Sequence, residues 1–157
     1  MKVVVLRDPK ESLRKCSLTP LRGRGEVAFF EWRGMTLLDA AGMTLLQVGA
    51  PPLARTDAGR PILLLDCSWK KVERMTRCLR GDPTPRSIPP GFVTAYPRKS
   101  KTFEDPSAGL ASVEALYVAS VVLGEEDPSL LEGYRFSADF LGRNRDLLAL
   151  HRSPPAA

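Results

Sequence analysis

The apolar run Ile62-Leu63-Leu64-Leu65, which follows Pro61 and stops at Asp66, is the feature that most limits how this chain can fold. Four consecutive apolar residues are too few for an independent helix. Continuous runs of this length are typical of parallel strands that are buried on both faces of a sheet. The run therefore predicts a buried parallel strand that delivers a carboxylate at its carboxyl end.

The other predicted elements place this strand in an α/β protein. Strands come first along the chain, and a strand-helix-strand-helix-helix order follows, which is typical of α/β layers. We expect a small β-rich N-terminal domain over residues 1–55, an α/β domain over residues 56–151 and a disordered tail over residues 152–157. The predicted strands include KVVVLR (2–7), EVAFFEWRG (26–34) and FVTAY (92–96), and the predicted helices follow Ser68, span 110–124 and begin at Asp127-Pro128.

Composition narrows the class of protein. Hydrophobic residues make up 43% of the 157 residues, as in ordinary globular proteins. No apolar run approaches the roughly 20 residues that cross a bilayer, and the first apolar stretch ends at Asp8, so we expect a cytoplasmic protein with no membrane partner. Cys16, Cys67 and Cys78 lack metal-ligand spacing, and His151 is the only histidine. We therefore expect neither a disulfide framework nor a bound metal.

Charge is distributed unevenly along the chain. Residues 68–101 hold nine Lys and Arg against Glu73 and Asp82, a local charge of +7, whereas residues 102–157 hold nine acids against four bases. Such asymmetry favours a basic surface that meets a polyanion, with RNA or DNA as the leading candidates. The alternative is a solvated basic face without a partner. DNA is the less favoured partner, because the sequence has no helix-turn-helix or zinc-finger signature.

The sequence Asp66-Cys67-Ser68-Trp69 marks a candidate ligand site. In open parallel sheets, ligands bind beyond the carboxyl ends of the strands. An indole there suits an adenine ring, and a carboxylate suits a ribose hydroxyl, an ammonium group or a proton. The structural alternatives are a helix N-cap for Asp66 and a core aromatic for Trp69. Cys67 in an apolar setting is more often packed and inert than nucleophilic.

The segment LLLDCSW with the basic segment after it resembles the small-subunit rRNA aminocarboxypropyltransferase family, which is related to the DTW-domain tRNA enzymes. That family's signature is an apolar strand that ends in Asp-Cys-Ser-Trp. Four further stretches agree with the family in order along the chain. They are RKCS (14–17), IPPGFVTAYP (88–97), LASVEAL (110–116) and FLGRNR (140–145).

The resemblance implies a fold and an activity. The family has a small β-rich N-terminal domain followed by a SPOUT-like α/β domain with a C-terminal trefoil knot. Its members bind S-adenosylmethionine and transfer the 3-amino-3-carboxypropyl group to a uridine or pseudouridine derivative in ribosomal RNA. Here the resemblance implies the cofactor S-adenosylmethionine and, as partner, ribosomal RNA or a small ribosomal subunit precursor. We expect the chain itself to be a monomer.

The resemblance also implies roles for particular residues. Asp66 orients the cofactor or the nucleophile and is the candidate general base. Ser17 and Ser112 hold the amino-acid arm of the cofactor, Trp69 packs on the adenine, and the backbone near Phe92 also contacts it. The expected phosphate-binding residues are Lys70, Arg74, Arg77, Arg98 and Lys99.

Two other functions fit the same sequence. SPOUT folds usually transfer the methyl group, so a shifted cofactor pose would give an RNA methyltransferase. A non-catalytic RNA-binding or ribosome-assembly module would keep the fold without turnover.

Overall fold

The computed structural model describes residues 1–35, 37–97 and 109–152. Its main sheet has five strands in the order β2-β1-β5-β4-β7, and every pair of neighbours in it is parallel. A small parallel pair, β3 with β6, stands apart from this sheet. The strands are β1 (Val3–Arg7), β2 (Val27–Glu31), β3 (Leu38–Asp39), β4 (Thr44–Leu46), β5 (Ile62–Asp66), β6 (Leu79–Arg80) and β7 (Thr84–Arg86).

The predicted buried parallel strand is confirmed as β5, the central strand of the main sheet. It pairs with β1 on one side and β4 on the other, and Ile62, Leu63 and Leu64 are buried. Because β1, β2 and β4 precede residue 55 and β5 and β7 follow it, strands from both predicted domains belong to one sheet.

The α-helices are α1 (Val72–Thr76), α2 (Ser112–Val122), α3 (Ser137–Arg143) and α4 (Arg145–Arg152). Buried residues of three of these helices, α2, α3 and α4, join the larger apolar cluster on one face of the main sheet. The larger apolar cluster joins β1 and β5 to α2, whose residues from Val113 to Val122 are buried except for Ala115. A smaller cluster of Ala40, Leu45 and Leu63 lies on the other face. No helix in the described ranges has the length and apolar character needed to cross a membrane.

Two predictions about the segments after β5 and before α2 are wrong. Residues 92–96 were expected to form a strand, yet no described strand includes them. The segment after Ser68 was expected to be one helix. It instead begins as a 3₁₀ turn at Trp69–Lys71 and continues as the five-residue α1, in which Met75 is the buried residue while Trp69 is 51% exposed.

The C-terminal region matches its prediction more closely. The helix predicted over residues 110–124 is present as α2, which ends before Gly124, a residue with φ of 76°. Asp127 accepts a hydrogen bond from the Ser129 amide and begins a 3₁₀ turn at Pro128–Leu131 instead of an α-helix. Arg152, assigned to the predicted tail, is the last residue of α4 and forms an ion pair with Glu126. Residues 153–157 of that predicted tail lie outside the described residues.

Candidate functional site

The strand order creates a crevice at the carboxyl ends of β1 and β5. The chain leaves β1 towards β2, on one side, and leaves β5 towards β7, on the other. Ligands of open parallel sheets bind at such a switch point. Arg7 and Asp66 are register partners at the last position of the two strands, and the Asp8 amide donates to the Asp66 carbonyl over 2.9 Å. The carboxylate predicted from sequence therefore stands at the edge of this crevice.

The Asp66 carboxylate is held on two sides. Oδ2 lies 3.5 Å from the Arg7 Nε atom and accepts a hydrogen bond from the Cys16 thiol over 3.1 Å. The Arg7 side chain is buried, whereas the Asp66 side chain is 14% exposed. The guanidinium therefore compensates the carboxylate from inside the sheet, and the exposed part of Asp66 faces the crevice.

Two thiols beside Asp66 stay protonated at neutral pH. Burial raises the pKa of Cys16 to about 11, and the hydrogen bond to the Asp66 carboxylate adds to the rise. Burial likewise raises the pKa of Cys67 to about 12, with the negative charge of Asp66 as the next cause. Because the thiolate is the reactive form of cysteine, neither thiol is poised as a nucleophile. The expectation that Cys67 is inert agrees with this environment.

A cavity of about 380 Å³ opens beside Asp66 and brings three predicted site residues together. Ser17, Asp66 and Ser112 all line it, although they come from the loop after β1, the end of β5 and the first turn of α2. Glu11 and Lys15 add one charge of each sign to the same wall. The cavity thus combines carboxylates, hydroxyls and an ammonium group at the carboxyl edge of the sheet.

Ser17 fixes the start of α2 against the loop after β1. Its Oγ accepts a hydrogen bond from the Val113 amide over 3.1 Å. That amide belongs to the first turn of α2, where backbone N–H groups lack partners within the helix. The hydroxyl therefore orders the N-terminus of α2, and Ala111 and Ser112 of that terminus line the cavity.

Glu114 is a buried structural residue whose role the sequence alone did not reveal. Its buried carboxylate accepts hydrogen bonds from the Thr94 hydroxyl, the Ala95 amide, the Ala111 amide and the Tyr134 hydroxyl, at 2.6 to 3.1 Å. These bonds join the start of α2 to residues 94–95 and to Tyr134. Glu114 is the third residue of α2, a position where a carboxylate often caps the N-terminus. The signal available in the sequence was a glutamate near the start of the helix predicted over residues 110–124.

Asn144 holds the neighbouring residue Val93. Its Oδ1 accepts from the Val93 amide over 2.7 Å, and its Nδ2 donates to the carbonyls of Val93 and Phe140 at 2.8 Å. The Asn144 side chain bonds both the N–H and the C=O of Val93, as the backbone of a paired strand would. This segment is therefore held in place without belonging to the sheet. The segment FLGRNR (140–145), one of the stretches that resemble the family, therefore contains the residue that holds Val93 in place.

Two predicted adenine contacts lie away from the smaller cavity. In the described structure neither Trp69 nor Phe92 lines it. Trp69 is exposed at the surface beyond β5, and the Phe92 ring lies 5.7 Å from the ring of His151. Their contacts with a cofactor remain predictions.

The predicted phosphate-binding residues divide into two groups. Lys70, Arg74 and Arg77 are exposed, and the Arg74 guanidinium lies 5.4 Å from the ring centre of Trp32. Arg77 forms an ion pair with Glu73 over 2.9 Å. Arg98 and Lys99 lie outside the described residues.

Comparison with known proteins gives a likeness in structure but none in sequence. The chain matches no family model and no curated protein sequence. Its structure is similar to the solved structure of the SAM-dependent rRNA:acp-transferase Tsr3 from Vulcanisaeta distributa, with a TM-score of 0.73 and 24% sequence identity. The superposition covers 96% of this chain and 82% of that chain. The chain therefore shares the mixed α/β fold of that transferase, and the predicted α/β class is confirmed.

Proposed function

We propose that this chain is an enzyme that transfers the 3-amino-3-carboxypropyl group of S-adenosylmethionine to a uridine or pseudouridine derivative in ribosomal RNA. The observation that carries the proposal is the meeting of Ser17, Asp66 and Ser112 at one cavity, at the switch point of a parallel sheet. The fold likeness to Tsr3, described as an SAM-dependent rRNA:acp-transferase, supports the same activity and the same cofactor.

The residues of the smaller cavity suit S-adenosylmethionine. Its volume of about 380 Å³ lies within the range of small-molecule sites, about 300–1,000 Å³. The carboxylates of Asp66 and Glu11 complement the sulfonium and the ammonium group of the cofactor. Lys15 and the hydroxyls of Ser17 and Ser112 complement its carboxylate, so we assign the amino-acid arm to this cavity.

Asp66 is the proposed proton acceptor. Bound S-adenosylmethionine would supply an electrophilic carbon attached to its sulfonium sulfur. When the bond between that carbon and the sulfur breaks, the electron pair stays on the sulfur and methylthioadenosine leaves. A ring nitrogen of the target base forms the new bond to carbon and loses its proton, for which the Asp66 carboxylate is the acceptor. Arg7 and Cys16 position that carboxylate, because both contact Oδ2.

The remaining roles follow from the resemblance of the sequence. We propose that Trp69 and the backbone near Phe92 contact the adenine, and that Lys70, Arg74, Arg77, Arg98 and Lys99 contact RNA phosphates. Such contacts supply affinity without reading sequence. The SPOUT-like arrangement with a C-terminal trefoil knot, the division into domains, the monomeric state and the cytoplasmic location also remain predictions from the sequence.

The decisive experiment uses two preparations of S-adenosylmethionine, one labelled in the carboxyl carbon and the other labelled in the methyl group. Each is incubated with the chain and with small-subunit ribosomal RNA that lacks the modification. Carboxyl label in RNA, together with released methylthioadenosine, is the expected result. Methyl label in RNA would show a methyltransferase on the same fold, and no label in RNA despite RNA binding would show a non-catalytic module.

The variant Asp66→Asn tests the role of the carboxylate. We expect transfer to fall by at least about a hundredfold while RNA affinity stays within about twofold, because general-base catalysis contributes roughly 10²–10⁴ in rate. Asp139→Asn is the matched control, since that carboxylate lies on the surface of α3 in an exposed ion pair with Arg143. Full turnover in Asp66→Asn would remove Asp66 from the mechanism.

A further inference from the structure

A second cavity, of about 760 Å³, lies next to the smaller one. Lys15, Cys16, Ser17 and Tyr96 line both cavities. The volume of the second cavity also falls within the range of small-molecule sites. Because the two cavities share a wall, a ligand in the larger cavity would lie beside the cofactor proposed for the smaller one.

Aromatic rings form one wall of this larger cavity. The Phe136 ring lies 5.8 Å from the ring of Tyr96 and 5.8 Å from the ring of Tyr134, in edge-to-face arrangements of 79° and 74°. Tyr134 is buried, whereas Tyr96 and Phe136 are half-buried and so keep ring surface at the cavity. Half-buried rings of this kind are the surfaces on which proteins stack unpaired RNA bases.

The aromatic wall is held rigidly. The Tyr134 hydroxyl donates to the buried Glu114 carboxylate over 3.1 Å, and the Tyr96 hydroxyl donates to the Lys15 carbonyl over 3.3 Å. The Tyr96 amide also donates to the Thr94 hydroxyl oxygen. A wall fixed before binding loses little conformational entropy when a flat ligand stacks on it.

Positive charge surrounds the same cavity. Arg14, Lys15 and Arg135 line it and are exposed, and no Asp or Glu is among its described lining residues. The Arg135 guanidinium carbon lies 5.7 Å from the centre of the Phe136 ring. A guanidinium beside a ring can stack on a base and also contact a phosphate.

We propose that the larger cavity receives the target base after it has left its RNA stack, with Phe136 and Tyr96 as the stacking surface and Arg14, Lys15 and Arg135 as contacts to the adjacent phosphates. The assignment rests on the proposed function, because it presents the base to a cofactor bound across the shared wall. Enzymes that react on a nucleobase hold it in a pocket outside the stack. The chemistry that this cavity recognises is therefore an unpaired pyrimidine nucleotide within RNA.

The test compares two RNA hairpins that differ at one loop position, a uridine in one and an abasic residue in the other. Fluorescence anisotropy measures their affinity for the wild-type chain and for Phe136→Leu, Phe136→Tyr and Arg135→Gln. Arg60→Gln is the charge-matched control, because Arg60 precedes β5 and lies at the opposite, amino edge of the sheet. Calorimetry with S-adenosylmethionine is repeated on every variant.

We expect the wild-type chain to bind the uridine hairpin about tenfold more tightly than the abasic one, as base stacking predicts. Phe136→Leu should remove that difference, and Phe136→Tyr should retain it. Arg135→Gln should reduce the slope of log affinity against log salt by about one, the value for one phosphate contact. Arg60→Gln should leave the slope unchanged. S-adenosylmethionine affinity should stay within about twofold throughout.

Two results would overturn the assignment. A full uridine preference in Phe136→Leu would show that the cavity does not hold the base. Loss of S-adenosylmethionine binding in the Phe136 and Arg135 variants, with RNA binding intact, would assign the cavity to the cofactor. If the wild-type chain bound no S-adenosylmethionine but the RNA results held, the proposed function would fail while the base pocket stood.

Discussion

The thiol of Cys16 donates a hydrogen bond to the Asp66 carboxylate, with 3.1 Å between Sγ and Oδ2, although fifty residues separate the two in the chain. Cys16 belongs to the loop after β1, and Asp66 ends β5. The bond therefore joins the two segments that meet at the switch point of the sheet. Since both residues line the smaller cavity, a change at either one should be detectable at the other.

The first prediction concerns the reactivity of Cys16. With a pKa of about 11, this thiol should react with iodoacetamide at pH 8 at least a hundredfold more slowly than an exposed cysteine. Asp66→Asn removes the negative charge that opposes thiolate formation, so the pKa of Cys16 should fall and labelling should quicken about tenfold. Burial, the larger cause, persists, and labelling should stay below that of an exposed thiol.

Peptide mapping by mass spectrometry over pH 7 to 10 gives the labelling rate of Cys16 separately from those of Cys67 and Cys78. Asp139→Asn, on the surface of α3, should leave the rate unchanged. A Cys16 that reacts equally fast in the wild-type chain and in Asp66→Asn would contradict the hydrogen bond.

The parts of the fold that follow from short sequence patterns were predictable. The run before Asp66 gives a central strand because four consecutive apolar side chains fit a strand buried on both faces. Its carboxyl end falls at the site because parallel strands of one sheet end at the same edge. The neighbours of this strand were not predictable, since β1 and β5 pair across more than fifty residues and no local pattern encodes that pairing.

Other elements depended on contacts that the sequence does not display. Residues 92–96 have the apolar, β-branched and aromatic character of a strand. The side-chain oxygens of Asn144 and Glu114 accept hydrogen bonds from the amides of Val93 and Ala95, so this segment needs no neighbouring strand. Ser17 was assigned to the site by resemblance alone, and its hydrogen bond to the Val113 amide is a tertiary contact.

The second prediction concerns the stability supplied by Glu114. In Glu114→Gln, one of the two carboxylate oxygens becomes an NH₂ group, which must face the Ala95 or the Ala111 amide. A buried amide without an acceptor costs about 1–3 kcal/mol, so we expect a loss of about 3 kcal/mol in the free energy of unfolding once the repulsion between donors is included. Urea unfolding followed by circular dichroism measures this loss.

Tyr134→Phe is the milder comparison for that site. It removes the hydroxyl that donates to Glu114 but leaves the other three bonds of the carboxylate in place. A loss of about 1 kcal/mol is expected. Equal midpoints for Glu114→Gln and the wild-type chain would refute the role given to the carboxylate.

The third prediction concerns Asn144 and the loop that it orders. Asn144→Asp keeps the size of the side chain but sets a carboxylate against the carbonyls of Val93 and Phe140. We expect a loss of about 2 kcal/mol in stability and faster hydrogen exchange at the Val93 amide. Hydrogen exchange read by NMR separates this local loosening from global unfolding, and wild-type protection of Val93 in the variant would contradict it.

The fourth prediction concerns the pH dependence of stability at Asp8. Burial raises the pKa of Asp8, but hydrogen bonds from Lys71 and from the Lys10 amide lower it by more, so it lies below its ordinary value. A carboxyl with a lowered pKa in the folded state stabilises the fold above its unfolded pKa, near 3.9. That stabilisation is lost as the pH falls through the lower, folded value.

Urea unfolding at pH 6 and pH 3 measures this contribution. Lys71→Met leaves the buried Asp8 side chain without its cationic partner and should cost about 1–3 kcal/mol at pH 6. The cost should shrink at pH 3, where Asp8 begins to take up a proton in the variant. A cost that is equal at both pH values would show that Lys71 acts through packing instead of charge.

The fifth prediction separates two arginines of the exposed basic segment. Arg77 is held by Glu73 over 2.9 Å, so a phosphate must compete with that carboxylate for it. Arg74 lies over Trp32, a contact that leaves its charge available to an RNA phosphate. Arg74→Gln should therefore weaken RNA binding and reduce the salt slope by about one, with a smaller effect from Arg77→Gln.

Salt-dependent binding of one RNA hairpin to both variants and to Glu73→Gln tests this order, since freeing Arg77 in Glu73→Gln should tighten binding. A greater loss from Arg77→Gln would place the phosphate path along the other side of α1.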